Sequence, residues 1–351
     1  MGQEKIVTMD GPSAAAARRA LVILTAMNLL NYVDRYVPSA VKDAFKRDLQ
    51  LSDAETSWPL TAFVLVYMVA SPLFGGLADR VRRPVLIAAG VALWSLATAG
   101  AALAQGFASL LVARALVGVG EAAYATLAPP LLADLYPPER RNTVLTWFYV
   151  AIPIGSALGF ALGGWLGAHY GWRAAFLVCG LPGLAAAALA LTLADPQTTA
   201  SDDVAAETQS WASAIRTLLR TPSYVYAVAG YTAVTFAAGG LADWLPTFLH
   251  RVHGMPMGEA GTAIGTATVV GGLGGTVFGG WLGNRLVGKT RHPYLALAGW
   301  TMVPATLLAA FALAAPSATV AVTCVAVAQF FLWCYNGPIN AEIVNATSPA
   351  L

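Results

Sequence analysis

The chain has 351 residues, of which 57% are hydrophobic and 11% charged, with a net charge of +2 and a mean hydropathy of +0.63. Soluble domains carry about 25% charged residues, so a water-soluble globular class is excluded. The small net charge also gives no grip on nucleic acid. Cys179, Cys324 and Cys334 lie in apolar stretches without the paired spacing of a metal or redox site. They read as small hydrophobes, and no metal or cofactor is implied. The polar start lacks a short apolar run with a small-residue cleavage site, so no cleavable leader is expected.

A spanning helix needs about 20 apolar residues. On that rule the sequence predicts helices at 19–40, 57–78, 84–104, 109–132, 143–167, 173–193, 223–249, 259–282, 293–314 and 318–340. Arg18 and Arg19 precede the first, and Arg80, Arg82 and Arg83 follow the second. Arg140 and Arg141 follow the fourth, and Arg285, Lys289 and Arg291 follow the eighth. Cytoplasmic loops are enriched in Lys and Arg, so the N terminus is expected in the cytoplasm of a multi-pass plasma-membrane protein. Lys42, Lys46 and Arg47 run against that bias. The division expected is a six-helix bundle at 1–195, a polar cytoplasmic linker at 196–221, and helices 7–10 at 222–351. The linker ends in a short amphipathic stretch at 211–219.

Repetition supports this division. GGWLG ends the fifth helix at 163–167 and the eighth at 279–283, and the related GGLAD ends the second at 75–79. These are every third helix, the trace of repeated three-helix units in a transporter. Gly155, Gly159, Gly163 and Gly167, then Gly271, Gly275, Gly279 and Gly283, recur at four-residue steps. Such spacing lines one helix face and lets another backbone approach closely.

Two predicted spans hold charges where lipid should be. The first contains Asn31, Tyr32, Asp34 and Arg35, and the fourth contains Arg114 and Glu121. Each unpaired charge near the bilayer centre costs about 3 kcal/mol. The penalty is offset if opposite charges on facing helices meet around a polar cavity, which is where transporters bind substrates and coupling ions. Asn28, Asn31 and Arg35 form a polar stripe on the first helix, with Asp34 beside them. Arg114 and Glu121 lie two turns apart on one face of the fourth, with Gly118 between. A carboxylate there is pushed up by desolvation and down by a nearby Arg, so it can titrate near neutral pH. Asp34 and Glu121 are therefore the expected proton-coupling groups. Arg35 and Arg114 are their expected counter-charges and contacts for an anionic head group. A static ion-pair lock between the two helices is the alternative for the same residues.

Residues 75–83, GGLADRVRR, resemble the signature loop Gly-x-Leu-Ala-Asp-Arg-x-Gly-Arg-Arg of the major facilitator superfamily, with Arg82 where the second Gly is usual. The resemblance implies a conformational latch formed by Gly75, Asp79, Arg80 and Arg83. The counterpart loop after the eighth helix has Asn284 where an acid is common. Within the superfamily the best resemblance is to the Spinster-like group. It is carried by NYVDRY at 31–36, RALVGVGEA at 114–122, GFALGGWLGAHYGWR at 159–173 and NAEIVN at 340–345. It implies an all-α integral membrane protein of the major facilitator fold, with six helices in the N-terminal bundle and four of six in the C-terminal one. The family pattern has twelve helices, so the last two are expected to be lacking. Family members are secondary transporters, commonly proton-linked, and animal relatives export lysolipids and sphingosine phosphate.

The second half offers Asp243 as an acid, either facing a substrate or at the outer interface beside Trp244. Gln329, Trp333 and Asn336 fall on one face of the tenth helix and can contact substrate or hold helices together. Tyr32 and Tyr124 are further candidates for a cavity lining, as are Tyr36, Tyr67 and Tyr149. Few charges amid apolar surface suit an amphipathic or lipid-like substrate moved by a monomer through alternating access. A proton-coupled drug or organic-anion exporter is the alternative, and a non-transporting scaffold or sensor the alternative of another class. No serine elbow, phosphate loop or zinc-protease motif appears, so an enzyme is not expected.

Overall fold

A computed structural model describes residues 14–196, 216–286, 289–290, 293–335 and 339. Its elements are α1 (Ala14–Ala40), α2 (Lys42–Asp48), α3 (Asp53–Leu77), α4 (Arg83–Ala101), α5 (Phe107–Asp134), α6 (Pro138–Tyr170), α7 (Trp172–Gly180), α8 (Pro182–Ala190), α9 (Pro222–His253), α10 (Met257–Leu286), α11 (Pro293–Leu313) and α12 (Ala318–Trp333). Most of the linker expected at 196–221, together with Arg291, Asn336 and 340–345, lies outside the described residues, as does the side chain of Asn284.

Among the described residues, 8 helical segments are long and apolar enough to cross a membrane. Of the ten expected spans, the first (α1, Ala14–Ala40) and the tenth (α12, Ala318–Trp333, 16 residues) are not among these 8. The structure differs from the sequence reading in two further places. Residues 42–48, read as loop, form the short helix α2. The sixth span, read as continuous, is two helices, because Pro182 lacks the N–H that would continue the ladder. The two still align as one apolar segment, Trp172–Ala190.

Local chemistry sets the ends. Ser52 and Glu55 form a reciprocal capping box that starts α3. Pro84 opens α4, where its missing N–H costs nothing. Gly254 ends α9 with φ +66°, a left-handed cap that glycine adopts without strain.

The described residues fall into two compact units. The first contains α1 up to Asp34, Leu49–Ile152, and the chain from Phe176 through α8. Here α5 packs on α3 and α4, and α8 packs on α4. Leu24, Met27, Ile87, Val91, Trp94, Val117, Tyr124, Leu131 and Phe148 build its core. Close approach of α4 and α5 depends on glycine: a Cβ on Gly120 would lie 2.4 Å from the Gly90 carbonyl oxygen. Met68, Val69 and Leu73 of α3 are exposed, an apolar face suited to acyl chains.

The second unit contains Arg35–Asp48, Pro153–Ala175 and the described residues from α9 onward. In it α10 packs against α9, α11 and α12. Phe160, Leu245, Leu249, Ile264 and Val325 are core residues. The four-residue glycine steps are packing seams. A Cβ on Gly271, Gly275 or Gly279 would fall 2.6, 2.1 or 2.0 Å from a carbonyl oxygen of the facing segment at Ala326, Phe330 or Cys334. Gly163 and Gly167 of α6 meet Val37, Ala40 and Val41 at the end of α1 in the same way.

Candidate functional site

In the first unit, α1 and α5 bring their charges together. Asp34 is 1% exposed, Arg114 1% and Glu121 0%. Glu121 and Arg114 both act electrostatically on the Asp34 carboxyl, and Trp94 and Thr98 face it from α4. The spacing on α5 explains part of this. Gly118 lets α3 approach so closely that a Cβ would lie 2.6 Å from the Phe63 carbonyl oxygen. The Arg114 guanidinium then stacks 5.3 Å from the Phe63 ring centroid, a contact that adds attraction in a desolvated place.

The polar stripe on α1 is held in position by hydrogen bonds to the backbone. Asn28 donates to the Phe148 carbonyl at 2.9 Å, and the Tyr124 hydroxyl donates to the Leu24 carbonyl at 2.6 Å. Tyr124 meets Trp94 edge-on with centroids 5.4 Å apart, and Tyr32 and Tyr149 lie near it. Asn31 is buried on the same stripe. The result is an ionic cluster bordered by aromatic rings.

Other expected site residues fall elsewhere. Arg35 belongs to the second unit. Asp243 is buried there in an ion pair with Lys42, and it accepts from the Ser39 hydroxyl at 2.9 Å. The Lys42 ammonium also lies 4.1 Å from the Trp244 ring centroid. Burial pulls Lys42 below the usual lysine range, while Asp243 pulls it back up. Beside this pair, the Arg251 guanidinium forks onto the Asp43 carboxylate, with Nε donating at 3.0 Å. Trp333 donates to Gln329 at 3.0 Å within α12, and Asn336 is outside the described residues.

Of the expected latch, Arg83 is the residue with a complete set of partners. Its Nε and Nη2 donate to Asp195 at 3.0 and 2.7 Å, its backbone N–H donates to the same carboxylate at 2.8 Å, and its Nη1 donates to Asp134 at 2.7 Å. Gly75 is half-buried, and Asp79 and Arg80 are exposed at the turn after α3. The sequence reading missed Asp134 and Asp195 as partners of Arg83. It also missed the Lys42–Asp243 and Asp43–Arg251 pairs, and Trp94 and Thr98 beside Asp34. The available signals were the cations just past the first helix and the Trp94, Ser95, Thr98 group in an otherwise apolar α4. No group of three or more His, Cys, Asp or Glu suited to a metal occurs among the described residues.

A family model of the Major Facilitator Superfamily matches residues 24–350. Protein spinster homolog 3 of Danio rerio is 33% identical over 344 residues, covering 93% of this chain and 69% of that protein. The chain belongs to the Spinster group of the Major Facilitator Superfamily. Protein spinster homolog 1 of Homo sapiens is 39% identical over 257 residues, or 71% of this chain and 49% of the relative. The chain thus spans about half the length of several curated relatives it matches. A crystal structure of a bacterial homolog to the human lysosomal transporter Spinster, inward-facing and unoccupied, superposes with a TM-score of 0.82 at 26% identity. That match covers 96% of this chain and 79% of the other. As a Spinster-group chain, the protein belongs to a family of multi-pass transporters rather than enzymes.

Proposed function

We propose that this protein is a proton-coupled secondary transporter of an amphipathic, lipid-like molecule, working by alternating access. The reading rests on one observation: Asp34, Glu121 and Arg114 are buried together in the first unit. Two carboxylates and one guanidinium carry a net negative charge when both acids are ionised. Burying a net charge is costly, so one proton shared between Asp34 and Glu121 neutralises the cluster. Exchange of that proton as the site gains and loses water is the coupling step. Arg114 is the counter-charge that keeps the second carboxylate ionised. Arg35 on α1 is assigned to an anionic head group.

The Phe63 ring against Arg114, and Tyr124 packed on Trp94 beside Asp34, favour an acyl or other apolar tail over a sugar. The superposed structure is of a bacterial homolog to the human lysosomal transporter Spinster, which supports transport and leaves the substrate to be found. The Arg-rich loops support a cytoplasmic N terminus, and the membrane we assign is the plasma membrane.

The test uses the purified protein in proteoliposomes that enclose a pH-sensitive dye, with lysophospholipid added outside. Lysophospholipid-dependent proton movement is expected in the wild type and is expected to be lost in Asp34→Asn and Glu121→Gln. Lysophospholipid flux indifferent to the pH gradient would overturn proton coupling. Flux of organic-anion drugs but not of lysophospholipid would overturn the substrate class.

A further inference from the structure

Three polar side chains of α4, Trp94, Ser95 and Thr98, are each 0% exposed. They share little more than one helical turn of a span otherwise rich in Ala, Leu and Val. The Trp94 indole N–H, the Ser95 and Thr98 hydroxyls and both Asp34 carboxyl oxygens close no hydrogen bond among the described residues. Buried donors are almost always paired, so donors held uncommitted beside an acid call for an explanation. Trp94 and Thr98 face the Asp34 carboxyl closely enough to act on it as hydrogen-bond donors, yet short of full hydrogen-bond geometry.

The surrounding packing holds these donors in place. Tyr124, tethered to α1 through the Leu24 carbonyl, meets the Trp94 ring edge-on. From behind, a Cβ on Gly180 would lie 2.7 Å from the Ala99 nitrogen, and one on Gly183 would lie 1.9 Å from Ser95 Oγ. The glycines of α7 and α8 therefore let these helices approach α4 closely at Ser95 and Ala99. The charged and titratable groups facing Asp34 are Glu121 and Arg114 from α5 and the Cys179 thiol from α7, with Arg35 next to it in the chain.

We propose that Trp94 and Thr98 are positioning residues that receive the Asp34 carboxylate when its proton leaves. This deepens the proton-coupling reading and rests on it. A donor already spent elsewhere offers a new charge nothing. An uncommitted N–H and O–H form two charge-assisted hydrogen bonds as soon as the carboxylate appears, and such bonds are about twice as strong as neutral ones. Arg114 supplies charge balance for the pair of acids, while α4 supplies hydrogen bonds to one of them. That asymmetry determines which of the two carboxyls releases the shared proton. Ser95 sits against Gly183 and has a packing role.

The test is infrared difference spectroscopy of the purified protein across a pH titration, reading the carbonyl band of protonated carboxyl groups. It needs no transported substrate. Asp34→Asn is expected to delete one band and so assign it. Thr98→Val, which keeps the shape and removes the hydroxyl, is expected to move that band's midpoint upward by about one pH unit, a roughly tenfold change in proton affinity. Trp94→Phe is expected to move it in the same direction, and Thr98→Ser to return it toward wild type. If Thr98→Val does not fold, Trp94→Phe carries the test alone. A residue that merely packs would lower thermal stability and leave the midpoint in place. An assigned band that does not shift in Thr98→Val or Trp94→Phe overturns this inference and leaves proton coupling standing. A titration that Asp34→Asn leaves unchanged instead removes the role of Asp34 in coupling, and this inference with it.

Discussion

Lys42 and Asp243, 201 residues apart, form an ion pair whose side chains are 1% and 7% exposed. The pair joins the helix that follows α1 to the later part of α9, and Ser39 and Trp244 complete its surroundings. A buried pair is weak evidence for stability, because desolvation offsets attraction, but breaking one side strands a charge at about 3–5 kcal/mol. Lys42→Met is therefore expected to lower the unfolding temperature of the purified protein sharply. The double variant Lys42→Met with Asp243→Leu is expected to recover most of the loss. Equal damage from the single and double variants would mean that the stranded charge is not what destabilises the single one.

Arg83 gives a second expectation. It is 2% exposed and binds Asp195 through its backbone N–H and two side-chain nitrogens while also reaching Asp134. Arg83→Ala takes both guanidinium hydrogen bonds from the Asp195 carboxylate, which is 2% exposed, at a cost of about 3 kcal/mol or more. Arg83→Lys keeps the charge but not the planar fork, so it is expected to recover less than half of that stability. Thermal unfolding monitored by tryptophan fluorescence measures both.

The signature loop at 75–83 marked Arg83 as important, yet it could not name partners 51 and 112 residues further along. This is the general limit of the sequence reading. Composition and apolar length revealed the spans, and glycines at four-residue steps revealed the seams. The cost of ions in lipid singled out Asp34, Arg114 and Glu121, because each is improbable on its own. Asp43 and Asp134 were illegible for the opposite reason: charges at helix ends are ordinary, and tertiary packing decides which become buried pairs. Trp94 and Thr98 passed as membrane residues because neither carries a charge. Helix α2 was missed because seven residues, five of them polar or charged, show no spanning period.

The seam between α10 and α12 is open to a direct test. Gly275 faces the Phe330 carbonyl, where a Cβ would lie 2.1 Å from the oxygen. No side-chain rotation relieves a clash with backbone, so Gly275→Ala forces the two helices apart. The expected loss is about 1–3 kcal/mol, seen as a lower unfolding temperature. Gly280, where a Cβ meets nothing within 4 Å, is the control: Gly280→Ala is expected to unfold like wild type or slightly later.

Asp48 supplies a pH dependence outside the spans. A hydrogen bond from Arg173, with a second from Trp172, holds its carboxyl below the usual carboxylate range. The folded value is depressed, so its contribution to stability is present above the unfolded value and is lost as pH falls through the folded one. Wild type is expected to unfold at slightly higher temperature than Asp48→Asn at neutral pH. The gap should persist into mildly acidic buffer and close in more acidic buffer. The effect is small because both side chains are exposed by more than 40%. A gap that widens with acid would mean that Asp48 is not held ionised by Arg173.

Arg114 is the position where stability and function meet. It is 1% exposed between Phe63 and the two acids. Removing it leaves the two acids in low dielectric without the guanidinium that balances them, a loss of about 3–5 kcal/mol. Arg114→Ala is therefore expected to be less stable than either Glu121→Gln or Asp34→Asn, each of which removes one negative charge and leaves a balanced pair. The informative variant is Arg114→Ala combined with Glu121→Gln. If the cluster is held by charge balance, the double variant recovers part of the stability lost by Arg114→Ala, because one fewer carboxylate is stranded. If Arg114 matters through its stacking on Phe63 alone, the two losses add with no recovery. Unfolding temperatures of the four variants at one pH separate these outcomes.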